Sequence, residues 1–214
     1  MYQPRHFVQD DPTELQALMQ AHPLATLVRQ APDGSLSADH IPLLYDAADG
    51  EHGTLRGHVA RANPLWQELA AGAPVLAIFQ GPQAYVSPAW YASKREHGKV
   101  VPTWNYAVVH AHGRFHAKDD PVWLRAFLQR LTARHEGPRA EPWQIDDAPA
   151  DFTAQLLGAI VGIEIPLLRL EGKWKVSQNR PAADREGVTQ GLLAEGSDAG
   201  TAAMAQLVRR PGMA

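Results

Sequence analysis

The sequence predicts a mainly β protein with inserted helices and a short helical C-terminal segment. Two observations lead to this fold class: about seven or eight strand-like segments follow one another at hairpin-like spacing, and only short helical patterns separate them. Such spacing favours an antiparallel barrel over a parallel Rossmann sheet. We expect one β domain over residues 1–180 and a helical extension over residues 181–214, where alanine and glycine accumulate.

Caps and turns define the N-terminal elements. Asp11 and Pro12 predict a helix start, because aspartate caps a helix and proline needs no N–H in the first turn. Turn residues then separate three strands and precede a short helix that Asn63 and Pro64 open. The predicted strands cover residues 24–30, 35–45 and 54–60, and the helix ends near residue 71.

Further strands are predicted on both sides of a polar turn at residues 81–83. The proline at position 88 restricts the second of them to a sheet edge or a bulge. A polar loop over residues 93–99 precedes a long strand that we expect to bend at Gly113. These strands cover residues 75–80, 84–91 and 101–118.

The C-terminal half repeats the cap-then-proline signal at Asp120 and Pro121, which opens a helix with a leucine-rich face. A proline-rich loop, a short helix and two strands follow. They cover residues 137–149, 152–158, 160–170 and 173–178.

Composition excludes several classes of protein. The chain has 214 residues, 45% of them apolar and 20% charged, and its formal net charge is −3. This balance gives no overall attraction to nucleic acid or acidic membranes. The chain has no cysteine, which excludes disulfides and cysteine-ligated metals. With no signal-peptide pattern and no long apolar run, we expect a soluble cytoplasmic protein.

Residues 57–66 join a strand to a helix start and resemble an anion site. A helix N-terminus attracts anions, Arg61 presents a bidentate fork, and His58 can donate a further hydrogen bond. In the alternative interpretation Asn63 is only an N-cap, Arg61 a solvated charge and His58 an ordinary strand residue. Taken by themselves, the residues favour this alternative.

Two aromatic-rich segments offer surfaces for a flat ring. Residues 79–91 place aromatic side chains beside a polar turn. In the next segment Thr103 and Asn105 alternate with Trp104 and Tyr106, so strand geometry sends the two pairs to opposite faces. This suits a ligand held at a seam between subunits. The alternative for residues 79–91 is a β-hairpin whose aromatic side chains cover a core or an interface. The alternative for residues 101–106 is a buried aromatic pair with an exposed polar face.

Residues 173–180 combine two lysines, a tryptophan and four consecutive polar residues. Such a run donates many hydrogen bonds and suits the polar edge of a ring or a phosphate group. A strand end with solvent-exposed caps is the alternative.

Three histidines share strand parity and have a spacing that can ligate a metal: His110, His112 and His116. No acidic residue alternates with them, and the expected bend at Gly113 breaks their register. We therefore expect solvated histidines and no metal site. The sequence also lacks a phosphate-binding glycine loop and a nucleophile elbow.

Six segments in this order resemble the PaiB-type FMN-binding proteins, a family of negative transcriptional regulators. They are MYQPRHF (1–7), DHIPLL (39–44), GHVARANPLW (57–66), FQGPQAYVSPAWY (79–91), VPTWNYAVVHAHG (101–113) and KWKVSQNR (173–180). The resemblance runs from residue 1 to about residue 180 and is highly specific, whereas the C-terminal stretch is less diagnostic.

The resemblance implies a split β-barrel related to pyridoxine-phosphate oxidases and flavin reductases. It implies FMN rather than FAD, and a homodimer with flavin at the interface. It also implies repression of genes for degradative enzymes and sporulation, with DNA or a regulator protein as partner. Carried onto the motif positions, the implied cofactor-binding residues are His58, Arg61, Asn63, Ser87, Trp90, Tyr91, Thr103, Trp104, Asn105, Lys175, Ser177, Gln178, Asn179 and Arg180.

Three functions stay open on the sequence alone. The first is an FMN-binding regulator, the second an FMN-dependent oxidoreductase or flavin reductase, and the third a heme- or flavin-storing module without catalysis. FMN itself supplies redox chemistry, which is compatible with an enzyme. The absence of a helix-turn-helix pattern argues against direct DNA reading. No catalytic residue is assigned, because no general acid stands out beside the motifs.

Overall fold

The computed structural model describes residues 1–196 and 199–210, and this part of the chain contains eight strands and seven α-helices. The strands are β1 Val8–Gln9, β2 Leu24–Gln30, β3 Leu36–Pro42, β4 Leu44–Asp46, β5 Thr54–Ala60, β6 Ala73–Val86, β7 Thr103–Lys118 and β8 Ile160–Lys175. The helices are α1 Pro12–Ala21, α2 Leu65–Glu68, α3 Ser93–His97, α4 Pro121–Glu136, α5 Ala150–Gly158, α6 Ala182–Glu195 and α7 Ala199–Arg209. Short 3-10 helices cover Arg5–Phe7, Pro88–Trp90 and Ile145–Asp147.

The strands form a sheet in the order β3-β2-β6-β7-β8-β5-β4, with β1 beside β8. Each strand pair with a defined register is antiparallel. The sheet does not close on itself, because β3 and β4 stand at the two ends of this order. The predicted fold class, mainly β with inserted and C-terminal helices, is confirmed.

Local capping signals correctly located two helix starts. The Asp11 carboxylate accepts a hydrogen bond from the Thr13 N–H at 2.8 Å. The Asp120 carboxylate accepts one from the Val122 N–H at 2.9 Å, with proline at the first helical position. Both aspartates therefore satisfy N–H groups that a helix leaves without internal partners.

Two predicted pairs of short strands are single long strands. β6 continues through Gly81 where a turn was expected, and β8 continues through Gly172. A Cβ atom at Gly81 would lie 2.8 Å from Cδ1 of Leu18, and one at Gly172 would lie 2.2 Å from Cδ2 of Leu15. Both leucines belong to α1, so the two glycines give room for this helix and do not end the strands.

Two other expectations were wrong. The strand predicted over residues 35–45 is divided at Leu43 into β3 and β4, although the Leu43 N–H still donates to the Pro23 carbonyl at 2.8 Å, the next pair in the β2–β3 register. The loop predicted over residues 93–99 contains α3, which ends at Gly98 with φ of 68°. Glycine adopts this left-handed conformation without steric cost and commonly ends helices.

β7 also continues past Gly113, and the alternation of burial is unbroken from Ala111 to Phe115. The expected break in register is therefore wrong. A Cβ atom at Gly113 would lie 2.5 Å from Cγ2 of Ile165, so the glycine permits close packing.

The chain divides into two compact units. Unit 1 comprises Met1–Ala21, Gln80–His110 and Glu171–Ala214, and unit 2 comprises His22–Phe79 and Ala111–Leu170. The division at residue 180 that the sequence suggested stays a prediction. No helix in the described ranges has the length and apolar character needed to cross a membrane.

Unit 1 places α6 against the 3-10 helix at Pro88–Trp90. A Cβ atom at Gly187 would lie 2.0 Å from the Trp90 carbonyl oxygen, and one at Gly191 would lie 2.3 Å from the indole ring. The two glycines, one helical turn apart, leave space for Trp90. Buried apolar residues of the same unit include Leu15, Met19, Val109, Trp174, Val188, Leu192 and Met204.

Unit 2 has its own core and a partly buried ion-pair network. The Arg56 guanidinium pairs with Asp46, Asp49 and Glu164, and Lys118 also pairs with Glu164. The core includes Leu27, Leu43, Leu55, Phe79, Phe115, Leu124, Ile163 and Ile165.

Candidate functional site

The site residues predicted from the sequence divide between the units. Three of them, His58, Arg61 and Asn63, belong to unit 2. The other eleven belong to unit 1 and come from three segments: Ser87, Trp90 and Tyr91; Thr103, Trp104 and Asn105; Lys175, Ser177, Gln178, Asn179 and Arg180.

Lys175 joins the end of β8 to the start of β7. Its ammonium group donates to the Thr103 hydroxyl and, at 2.9 Å, to the Trp104 carbonyl oxygen. Burial lowers the pKa of Lys175, and the positive charges of Lys173 and Arg180 lower it further. Three cations therefore act on one another in this part of unit 1.

Lys173 occupies the same face of β8, two residues before Lys175. It is buried, its ammonium group donates to the Tyr2 carbonyl at 2.9 Å, and it lies 5.4 Å from the centre of the Tyr106 ring. A cavity of about 380 Å³ is lined by Lys173, Tyr2 and Tyr106, together with Gln80 and His110. The implied cofactor-binding residues include neither Lys173 nor Tyr106, although strand alternation alone places both lysines on one face.

Asn105 and Ser177 face the interior and bond to each other. The Asn105 amide donates to the Ser177 hydroxyl at 3.0 Å, and both residues are buried. Ser177 has φ of 65°, which is unusual for a residue other than glycine and costs of order 1–3 kcal/mol. The pair thus holds a strained turn directly after β8.

Gln178, Asn179 and Arg180 complete this turn. The Gln178 side chain accepts from the Val176 N–H at 2.8 Å and donates to the Trp174 carbonyl, so it is used within the turn. Asn179 is exposed. The Arg180 guanidinium carbon lies 4.8 Å from the centre of the Tyr91 ring.

Two buried residues, Tyr91 and Asp184, lie close to Arg180. The Asp184 carboxylate accepts from the Ser93 N–H at 2.9 Å and from the Ser93 hydroxyl at 2.7 Å. Burial tends to raise the pKa of Asp184, but the two hydrogen bonds from Ser93, with the charges of Arg180 and His97, bring it below its ordinary value. Burial raises the pKa of Tyr91. The Ser93–Asp184 pair was not predicted.

Ser87 and Trp90 have local structural contacts. The Ser87 hydroxyl accepts from the Ala89 N–H at 3.2 Å and caps the 3-10 helix. The Trp90 indole donates to Glu195 of α6 at 3.2 Å.

Trp104 lies on the face of β7 opposite Asn105, as strand alternation predicts, and this face is the exposed one. Its indole donates to Gln83 at 3.0 Å, and its ring meets Tyr85 edge-to-face with centroids 6.2 Å apart. Both rings are about half exposed, with 49% and 48% of their surfaces accessible.

In unit 2, Asn63 has the capping role of the alternative interpretation, and Arg61 is ion-paired where that interpretation expected a solvated charge. The Arg61 guanidinium pairs with both Asp119 oxygens and donates to the carbonyls of Gly158 and Ile160. The Asn63 side chain accepts from the Leu65 N–H at 2.9 Å and so caps α2, a helix of only four residues. The phosphate role of Arg61 stays a prediction.

The antiparallel sheet with inserted and C-terminal helices is the architecture of a split barrel. The family model described as "Putative FMN-binding domain" matches residues 1–169, and the chain belongs to this family. The predicted family and the predicted cofactor, FMN, are thereby confirmed.

Curated relatives cover nearly the whole chain. "Protease synthase and sporulation protein PAI 2" of Bacillus subtilis is 33% identical over 197 residues, which is 91% of this chain and 90% of the relative. "Uncharacterized protein AN0679" of Emericella nidulans is 35% identical over 232 residues, which is 92% of each chain.

A solved structure shares the fold. The FAD and heme binding protein from Mycobacterium smegmatis aligns with a TM-score of 0.57 and 20% identity, covering 78% of this chain and 72% of that chain. This likeness supports the split-barrel architecture that the sequence resemblance implied.

Proposed function

We propose that the chain is an FMN-binding regulator of the PaiB type, and that the flavin binds on the face of unit 1 that carries Lys173, Lys175 and Tyr106. The observation that supports this location is the gathering of three cations beside aromatic rings, with Arg180 as the third. FMN joins a flat ring system to a phosphate dianion, so its chemistry complements such a surface. When bound, FMN supplies redox chemistry.

The residues of this face have different roles in the proposal. Lys175 and Arg180 offer charge-assisted hydrogen bonds to anionic oxygens, and Tyr106 offers an aromatic surface. Asn105 and Ser177 are positioning residues, because they bond to each other in the interior and fix the turn that carries Arg180.

Lys175→Met tests the location. We expect this variant to weaken FMN binding by about 10- to 100-fold, in line with the loss of a charged hydrogen bond, and to weaken riboflavin binding much less. Calorimetric titration of both ligands measures the difference. Lys94→Met, at an exposed position of α3 in the same unit, is the matched control. Equal losses for FMN and riboflavin would show that Lys175 does not contact the phosphate.

The regulatory output is supported by the Bacillus relative, whose name refers to protease synthesis and sporulation and whose similarity covers 91% of this chain. A deletion strain of the native host, complemented with either wild-type protein or the Lys175→Met variant, tests it by transcript profiling. We expect the deletion to raise a set of transcripts, and the FMN-deficient variant to leave the same set raised. Full repression by a variant that holds no FMN would separate regulation from flavin binding.

An FMN-dependent oxidoreductase or flavin reductase is the second candidate function. Positive charge from Lys173 and Lys175 beside a flavin would favour its reduced, anionic form, which eases electron uptake. Oxidation of NADH and NADPH by the FMN-loaded protein tests this candidate. Steady turnover that Lys175→Met abolishes would support it, and no turnover with either nucleotide would count against it.

A further inference from the structure

Unit 2 contains a second cavity, of about 370 Å³, between β5 and the helices α4 and α5. This volume is within the range of small-molecule sites. All residues that line it belong to unit 2, whereas the proposed flavin face belongs to unit 1. The inference that follows therefore does not depend on the proposed function.

The cavity is lined mainly by apolar side chains, and the residues at its opening, here called the lip, are exposed to solvent. Trp143, Phe152 and Leu156 contribute to it while 47%, 50% and 51% of their surfaces remain accessible. Among the described residues that line it, none carries a formal charge at neutral pH. A phosphate dianion would have to be desolvated there without a cation, which is strongly unfavourable. The lining thus selects against FMN and in favour of an uncharged molecule.

His58 is one of three lining residues with a polar side chain, the others being Thr132 and Thr153. Its ring meets Phe127 edge-to-face, with centroids 6.0 Å apart. Burial lowers the pKa of His58, so the imidazole is neutral at physiological pH. Within residues 1–196 and 199–210, its ring nitrogens have no hydrogen-bond partner. A neutral imidazole offers one donor and one acceptor, and here both are left for a ligand.

We propose that this cavity binds a small uncharged ring compound with a hydroxyl or carbonyl group, and that His58 forms the hydrogen bond to that group. Trp143 and Phe152 supply flat aromatic surfaces, and the leucines of α4 and α5 supply the rest of the apolar contact. The aromatic surfaces of the cavity favour a ring compound over a purely aliphatic molecule. The lack of charged side chains in its lining favours an uncharged molecule over an anion.

Two probes of nearly equal size test the proposal on full-length protein saturated with FMN. 1-Naphthol carries the hydroxyl group and naphthalene lacks it. We expect saturable binding of both by equilibrium dialysis, with 1-naphthol tighter by about two- to tenfold, the contribution of one hydrogen bond. His58→Phe keeps an aromatic ring, so it should remove this difference while naphthalene still binds.

Leu156→Arg places a charge at the lip and should abolish binding of both probes. Leu168→Arg is the matched control, because Leu168 is 54% exposed in the same unit and does not line the cavity. The proposal is overturned if wild-type protein shows no saturable 1-naphthol binding, if both arginine variants behave alike, or if added FMN displaces the probe. A change of oligomeric state in Leu156→Arg without probe binding to the wild type would assign the patch to a second copy of the chain.

Discussion

The Ser93 hydroxyl group stabilises the buried carboxylate of Asp184. The carboxylate accepts two hydrogen bonds from Ser93, one from the hydroxyl group and one from the backbone N–H. Ser93→Ala removes the hydroxyl and leaves a buried carboxylate oxygen without that donor. We expect the free energy of unfolding to fall by about 1–3 kcal/mol. Urea denaturation near neutral pH measures the loss.

The same variant has a predictable pH dependence. Because the pKa of Asp184 lies below its ordinary value in the folded protein, its contribution is present above the unfolded pKa and is lost as pH falls through the folded pKa. The difference between wild type and Ser93→Ala should therefore narrow in acid. Ser35→Ala is the control, because Ser35 bonds to the exposed Asp33 and should cost little. A difference that stays constant with pH would contradict the role given to Asp184.

Arg61, in the segment 57–66, has either a structural role or a role in binding the FMN phosphate. Its four contacts to Asp119 and to backbone carbonyls indicate a structural role, whereas the resemblance implies a phosphate contact. If the phosphate role is correct, Arg61→Ala weakens FMN by about 10-fold or more and leaves riboflavin nearly unchanged. Titration of both ligands decides between the roles, and equal effects would leave only the structural one.

At the scale of elements, the close contact between α6 and Trp90 gives a stability prediction. A methyl group at Gly187 would collide with the Trp90 carbonyl, so Gly187→Ala should destabilise unit 1 by about 1–3 kcal/mol despite its higher helix propensity. Gly158→Ala is the control and should be neutral or stabilising, because in the described part of the chain a Cβ there would have no atom within 4 Å beyond its chain neighbours and its own helix backbone. Thermal denaturation of both variants tests the contact. Equal melting temperatures would contradict it.

Elements with local signals could be predicted from the sequence. β2 and β5 were predicted with the observed bounds, because turns flank them and their alternation is regular. β6 and β8 were each divided, because glycine usually weakens a strand. Here Gly81 and Gly172 are explained by leucines of α1, more than 60 residues away along the chain, and sequence pattern does not reveal such contacts.

In the candidate site, too, features with local sequence signals could be predicted, and contacts between distant residues could not. Three of the motif segments supply residues that contact one another in unit 1, and their role in binding stays a prediction. Alternation along β7 correctly separated Asn105 from Trp104. Lys173 was within reach of the same parity argument. The Ser93–Asp184 pair joins residues 91 positions apart in the sequence. No local pattern predicts this hydrogen bond, because only the folded chain brings the two residues together.

For the whole molecule, we propose a homodimer that shares its flavin. Trp104 and Tyr85 form an exposed aromatic pair in unit 1, and exposed apolar patches commonly mark interfaces. Trp104→Glu should separate the subunits and lose FMN together. Sedimentation at micromolar concentration, with flavin absorbance recorded on the same sample, measures both. Val122→Glu, exposed on α4, is the control, and a wild-type monomer with one FMN per chain would contradict the shared site.

Titration of FMN into the flavin-free protein measures whether, and how tightly, this chain binds its cofactor. Flavin absorbance should saturate at one FMN per chain, and the melting temperature should rise with FMN concentration. At a hundredfold excess over the dissociation constant, the stabilisation should be about 2.7 kcal/mol. A protein that is colourless when purified, takes up no FMN and melts at the same temperature with and without it would contradict this account.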